Sequence, residues 1–251
     1  MPTVVMVHGA FCGGWAFDLF RGAFEARGWT VLTPDLPGRG AGRSAAGLSM
    51  SDYVKSLAKL CADLAESPVL VGHSMGGLVC QMAARQVGAR ALVLLAPSAP
   101  WGVTGSSVEE ALTAFGVTLA DPFWMGTVTA DRSLMRMHGL DRVPRAEADQ
   151  ILARMQPESG RAVREVLNWW LDPFMTTSLG AGTLPMPTLV LAGERDAVHP
   201  VATVKQTAER LGATYEALPG MSHWLIGEAG WRGVADRALD WLEPVYAAEA
   251  T

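Results

Sequence analysis

Gly72-His73-Ser74-Met75-Gly76-Gly77 directly follows the apolar run Pro68-Val69-Leu70-Val71 and leads into Leu78-Val79-Cys80-Gln81-Met82-Ala83-Ala84. The run before it reads as a buried strand and the run after it as a helix, which places Ser74 at the turn between them. Glycines stand two residues away on both sides. A reversal this sharp strains the serine and projects its hydroxyl from the turn, while glycine lets strand and helix approach without a Cβ clash. This is the nucleophile-elbow arrangement. The plain alternative, a turn serine facing solvent, does not account for the apolar strand and helix on either side.

Working outward, short β-rich runs alternate with helical periodicity. Val4–Val7, Trp29–Thr33, Val69–Val71 and Ala91–Leu95 read as strands, as do Thr188–Leu191 and Thr214–Ala217 far downstream. Between them, Phe17–Ala26 reads as a helix ended by Gly28. Leu57, Leu60, Cys61 and Leu64 mark one helical face, with Ser49 or Ser51 as N-cap. Helices over Val201–Leu211 and Trp231–Leu242 complete the pattern. Strands alternating with helices imply an α/β fold, a mostly parallel central sheet flanked by helices and joined by right-handed crossovers.

Strand signals stop between Ala96 and Leu184. That stretch is rich in helix formers and large apolar residues, among them Trp101, Phe115, Phe123, Trp124, Trp169, Trp170 and Phe174. We read residues 98–183 as a helical cap inserted after the fourth strand, and residues 1–97 with 184–251 as the core. Its aromatics would form a small satellite core, with some lining an apolar pocket.

Composition narrows the function. The chain has 251 residues, 49% of them hydrophobic and 18% charged, which suits a sheet covered on both faces rather than disorder. A net charge of −5 and the lack of a basic cluster give no basis for binding nucleic acid. The three cysteines, Cys12, Cys61 and Cys80, have neither zinc-ligand spacing nor a disulfide pattern. Met1–Val7 has no basic leader region, and no apolar run approaches the roughly 18 residues of a membrane span. The expectation is a soluble cytoplasmic protein without a nucleic-acid or membrane partner, with a homodimer left open.

A serine hydroxyl is a weak nucleophile and needs a base, itself oriented by a third group. Thr188–Ala192 runs into Gly193-Glu194-Arg195-Asp196, and Tyr215–Leu218 leads through Pro219-Gly220-Met221-Ser222 to His223. Both Asp196 and His223 thus fall just past the carboxyl end of a strand, where catalysts of open α/β sheets gather. Of the five histidines, His138 reads as a surface residue of the insertion. His199 follows Asp196 too closely to face it productively and reads as the start of the next helix. Asp121, Asp131 and Glu194 compete less well for the acid, and Leu95-Ala96-Pro97-Ser98 offers no carboxylate after the earlier strand.

The elbow, the Gly-x-x-Asp loop, the late histidine and the early His8-Gly9-Ala10 together resemble the α/β-hydrolase fold superfamily, across essentially the whole chain. Val7-His8-Gly9-Ala10-Phe11-Cys12-Gly13-Gly14-Trp15 is similar to the opening of its methylesterase and hydroxynitrile-lyase branch, which also begins directly at this strand. The resemblance implies a catalytic triad of Ser74, Asp196 and His223, structural roles for His8 and His73, and an oxyanion hole from the backbone N–H groups of Ala10 and Met75. Phe11, Trp124 and Trp224 become candidates for the substrate pocket. Cys12, near the oxyanion loop, reads as a small buried thiol.

The function implied is a cofactor-independent serine carboxylesterase acting on small to medium apolar esters. Lactonases and carbon–carbon bond hydrolases of the same fold stay open, as does a non-catalytic receptor that keeps the triad. The lyases of the branch carry lysine after the catalytic histidine and threonine after the early one. Here those positions hold Trp224 and Gly9, which favours the esterase side. Gly40-Ala41-Gly42-Arg43-Ser44-Ala45 mimics a dinucleotide fingerprint, but Pro34-Asp35-Leu36-Pro37 separates it from the strand and no helix start follows. No nucleotide cofactor and no catalytic metal are implied.

Overall fold

The computed structural model describes residues 2–105, 125–180 and 182–247. The element order begins β1 (Thr3–Val7), a 3-10 turn over Gly14–Phe17, α1 (Asp18–Glu25), β2 (Thr30–Leu32), α2 (Met50–Ala62), β3 (Val69–His73), α3 (Met75–Ala83) and β4 (Ala91–Leu95). It resumes in the insertion with β5 (Thr127–Val128), α4 (Arg145–Arg154), β6 (Glu158–Ser159) and α5 (Gly160–Leu167). It closes with β7 (Thr188–Gly193), α6 (Val201–Leu211), β8 (Thr214–Leu218) and α7 (Trp231–Ala247).

Six strands pair in the order β2-β1-β3-β4-β7-β8, every neighbour parallel. All six strand runs expected from sequence are present. The reason is physical: a strand of a covered parallel sheet is apolar on both faces and reads as a continuous run. Strand alternation then divides the core in two. Val4, Met6, Val69, Val71, Val93 and Leu95 pack on one face beneath α1 and α7. Val5, Val7, Leu70, Leu92, Leu94 and Val190 pack on the other beneath α2, α3 and α6.

The helices begin where local chemistry dictates. Ser49 is the N-cap of α2, and the Asp52 carboxylate accepts its backbone N–H at 2.9 Å. Helix α6 ends on Gly212 in the left-handed conformation, φ 68°. Gly40–Ser44 lies in a loop with no helix before Met50, so the apparent dinucleotide fingerprint is connecting chain.

Three features of the segment between β4 and β7 depart from the sequence reading. β5 and β6 pair antiparallel in a separate two-stranded sheet, each too short to give a period-2 signal. Among the described residues, the aromatics form less of a core than expected. Trp101 packs on Trp169, but Phe174 is 84% exposed and Trp170 57%. His138, expected at the surface, is half-buried in a π-helical turn over Met135–Gly139. Phe115, Asp121, Phe123 and Trp124 lie outside the described residues.

The sheet order fixes where a site can form. The chain leaves β1 for β2 on one side, then returns to place β3 on the other side of β1. The carboxyl ends of β1 and β3 therefore flank the switch point, where the connecting loops diverge and leave a crevice. His8-Gly9-Ala10 follows β1 and Ser74 follows β3.

Candidate active site

Ser74 sits at φ 53°, ψ −124°, a conformation that L-residues rarely adopt, between β3 and α3. Its glycines are required by the close approach around it. A Cβ on Gly76 would lie 2.2 Å from the Val7 carbonyl oxygen, and one on Gly72 would lie 2.6 Å from the Gly76 carbonyl oxygen. A Cβ on Gly9 would come 3.0 Å from that of Ser74, so the loop after β1 is pressed against the serine. Backbone bonds hold the turn from both sides: Ser74 N–H donates to the Leu95 carbonyl at 3.1 Å, and Ser98 N–H donates to the Ser74 carbonyl at 3.0 Å.

Two backbone donors border this crevice. Among the described residues, neither the Ala10 N–H nor the Met75 N–H donates to a protein acceptor. Met75 opens α3, so its N–H is one of the helix's unpaired first donors.

Asp196 and His223 are brought together. The Asp196 Oδ2 and the His223 Nδ1 are 2.9 Å apart, with both residues buried. The other oxygen, Oδ1, accepts the backbone N–H groups of Val198 and His199, each at 2.8 Å. Burial pushes the Asp196 carboxyl up, but the His223 ring, the nearby His199 ring and the donated hydrogen bonds outweigh it and hold the group below the usual carboxylate range. Gly193 allows the two loops to meet, because a Cβ there would lie 2.1 Å from the Ser222 carbonyl oxygen.

The serine, however, faces a different ring. The Ser74 hydroxyl is 3.5 Å from His199 Nε2, and Ser98 Oγ is 3.0 Å from the same nitrogen. Among the described residues Ser74 and His223 form no hydrogen bond, although the His199 and His223 ring centres are only 5.2 Å apart. From sequence, His199 reads as the start of the next helix. Helix α6 starts at Val201, and the turn stapled by Asp196 Oδ1 folds the His199 ring back toward the serine instead of into the helix. The signal that could have shown this was an aspartate three residues ahead of it, a spacing at which a carboxylate commonly caps backbone N–H groups.

The two early histidines are structural. His8 Nδ1 donates to the Gly9 carbonyl at 2.9 Å, and its Nε2 accepts the Leu36 N–H at 3.0 Å; burial lowers its pKa to about 4. His73 Nε2 reaches the distant His223 carbonyl at 2.9 Å and steadies that loop. Burial lowers its pKa to about 3. The Cys12 thiol is buried and pushed up to about 12 by burial, which leaves it a neutral packing group. Trp224 is 4% exposed and packs edge-on against His73 in the core beside His223. Phe11 is half-buried at the crevice with φ 65°.

Comparison with known proteins agrees with this architecture. Residues 4–237 match the alpha/beta hydrolase family, and the chain belongs to it. It is 28% identical to the magnesium-chelatase 30 kDa subunit of Rhodobacter capsulatus over 96% of this chain and 87% of that one. It is 33% identical to Methylesterase 1 of Arabidopsis thaliana over 49% of each chain, and 36% identical to salicylic acid-binding protein 2 of Nicotiana tabacum over 41% of this chain and 42% of that one. These matches support the methylesterase-like branch. Among solved structures, an extracellular alpha/beta-hydrolase from a Paenibacillus species superposes with a TM-score of 0.74 at 24% identity, covering 96% of this chain and 98% of that one. No helix among the described residues is long and apolar enough to cross a membrane.

Proposed function

We propose that the protein is a cofactor-independent serine hydrolase that cleaves carboxylic esters of small to medium apolar compounds through an acyl-enzyme. One observation carries this reading: a strained serine at the switch point, beside two unpaired backbone donors and an imidazole backed by a buried carboxylate. With Asp196 ionised, the ring proton of His223 stays on Nδ1 and its Nε2 is free to act as base. Ser74 attacks the ester carbonyl as its proton passes to His223. The charge that develops on the carbonyl oxygen is met by the Ala10 and Met75 N–H groups, a donor of this kind contributing about 2.7–4 kcal/mol. His223 then returns the proton to the leaving alcohol, and water releases the acid by the same route. In this resting geometry the serine leans toward His199, and this mechanism requires its side chain to turn to His223. Catalytic hydrogen bonds are commonly loose before substrate binds.

The esterase-named relatives support the reaction class, although their alignments span less than half of each chain. The relative aligned over most of its length carries a different name, so that match supports the family and not the reaction. The decisive experiment pairs a fluorophosphonate probe with a p-nitrophenyl ester. Wild-type protein is expected to be labelled at Ser74 and to show a burst. Ser74→Ala is expected to lose labelling and roughly six orders of magnitude in kcat at an almost unchanged melting temperature. Labelling elsewhere, or near-wild-type turnover by the variant, overturns the assignment.

A second reading has its own observation, the 3.5 Å approach of His199 to the serine. In it His199 takes the serine proton while Ser98 fixes its ring. His223 is preferred because the buried Asp196 carboxylate is bonded to its ring at 2.9 Å.

A further inference from the structure

Glu158 is a charged residue where a charge is costly. It lies in β6, is 0% exposed, and stands outside the sheet that builds the site. Burying a carboxylate is tolerable only with full pairing, and Glu158 has it. Its Oε2 meets the Arg39 guanidinium, itself 2% exposed, and accepts the Phe11 backbone N–H at 3.2 Å. Its Oε1 accepts the Tyr53 hydroxyl at 2.5 Å and the Ser159 N–H at 2.9 Å.

The same short segment holds the rest of Phe11. Gln156 N–H donates to the Phe11 carbonyl at 2.8 Å, while Arg39 donates to the Pro157 carbonyl at 2.7 Å. Both backbone polar groups of Phe11 are therefore fixed by residues 156–158. Phe11 needs that restraint: its φ of 65° lies in the left-handed region, which a residue with a Cβ rarely adopts. The neighbouring residue, Ala10, carries the unpaired N–H at the crevice. A buried ion pair is weak evidence for stability, since apolar residues of equal volume often do as well. What apolar residues cannot do is accept the Phe11 N–H and hold its strained conformation.

We propose that Glu158 is a positioning residue: reaching in from the insertion, it locks Phe11 left-handed and so aims the Ala10 N–H at the oxygen that gains charge during ester cleavage. This rests on the reading of Ser74 as nucleophile and Ala10 as an oxyanion donor. The segment between β4 and β7 then sets the geometry of the reaction centre.

Glu158→Gln keeps the size and one acceptor but removes the charge that gathers these donors. With a p-nitrophenyl ester its kcat is expected to fall 10- to 100-fold while KM changes less than about twofold, as befits a misaimed donor. Affinity for a trifluoromethyl ketone, whose serine adduct places an oxyanion in the same position, should fall by a similar factor, as should the rate of fluorophosphonate labelling. A variant that melts earlier but keeps wild-type kcat and ketone affinity overturns the proposal, since a structural role alone predicts that result. Should Glu158→Gln fail to fold, Tyr53→Phe removes one hydrogen bond to the same carboxylate. A several-fold fall in kcat at constant KM then supports the proposal, and unchanged kcat overturns it. Wild-type protein that resists the fluorophosphonate overturns the nucleophile reading and this one together, whereas labelled wild type with an indifferent Glu158→Gln overturns this one alone.

Discussion

The rim of the parallel sheet and the segment between β4 and β7 follow different rules. Along the rim, each functional candidate closely follows a strand of the sheet: Ala10 after β1, Ser74 after β3, Asp196 after β7 and His223 after β8. In the segment, two-residue strands, short helices and exposed aromatics alternate, and its contribution to the site comes from single side chains such as Glu158. In the first region backbone topology decides where a residue goes. In the second, individual hydrogen bonds decide it. Position in a repeating architecture can be read from sequence, and isolated polar contacts cannot.

The largest effect expected concerns the two rings at the rim. If topology alone assigns roles, His223→Ala lowers kcat by about 10⁴ or more, whereas His199→Ala costs less than about 100-fold. Single-turnover kinetics on an activated ester measures both. The reverse order would give the base to His199 and show that one folded-back turn outweighs placement after a strand.

That contrast explains what sequence reading captured. Continuous apolar runs such as Val69–Val71 and Ala91–Leu95 have no other stable home than a covered sheet, so the six strands were legible. With the strands placed, Asp196 and His223 followed by position. The direction of the His199 ring was not legible, because it depends on two backbone N–H groups captured by Asp196 Oδ1, a contact without a period or a composition. The surroundings of Trp224 were hidden for a related reason. Adjacency to His223 in sequence suggested the pocket, but the chain turns after His223, and Trp224, Leu225 and Ile226 enter the core. Glu158 carried no signal at all, because its partners Phe11, Tyr53 and Arg39 are more than 100 residues away.

Stability should divide along the same boundary. Leu94 is fully buried in β4 with no room to collapse. Leu94→Ala is expected to cost about 2–5 kcal/mol in denaturant unfolding. A loss below 1 kcal/mol would show that the sheet is not the rigid half of the molecule.

Acid sensitivity also belongs to the rim. His8 and His73 stay neutral when folded, with pKa values lowered from 6.5 to about 4 and about 3. Between pH 6.5 and 4 the unfolded chain takes up protons that the folded rings refuse, so these groups lower stability as pH falls. Glu228, beside the His223 loop through its bond to Ser222 N–H, has the opposite sign: burial raises it from 4.5 to about 7. Between those values the folded chain holds a proton that the unfolded chain releases, so this group favours folding as pH falls. Glu228→Gln removes the opposing contribution and should steepen the acid loss between pH 7 and 4.5, by at most about 1.4 kcal/mol per pH unit. Guanidinium midpoints across that range measure it, and parallel profiles for wild type and variant would refute the sign.

The smallest expected effect tests the other region. Phe174, at 84% exposed, has almost no apolar contact to lose, so Phe174→Ser should change unfolding free energy by no more than about 0.5 kcal/mol. Its Asp172 neighbour holds the local turn without help from the ring, accepting the Phe174 and Thr176 N–H groups at 3.0 and 2.7 Å. The serine backbone can make the same donation. A loss above 1.5 kcal/mol would mean that the ring is buried in solution, and that the segment shares the packing logic of the sheet after all.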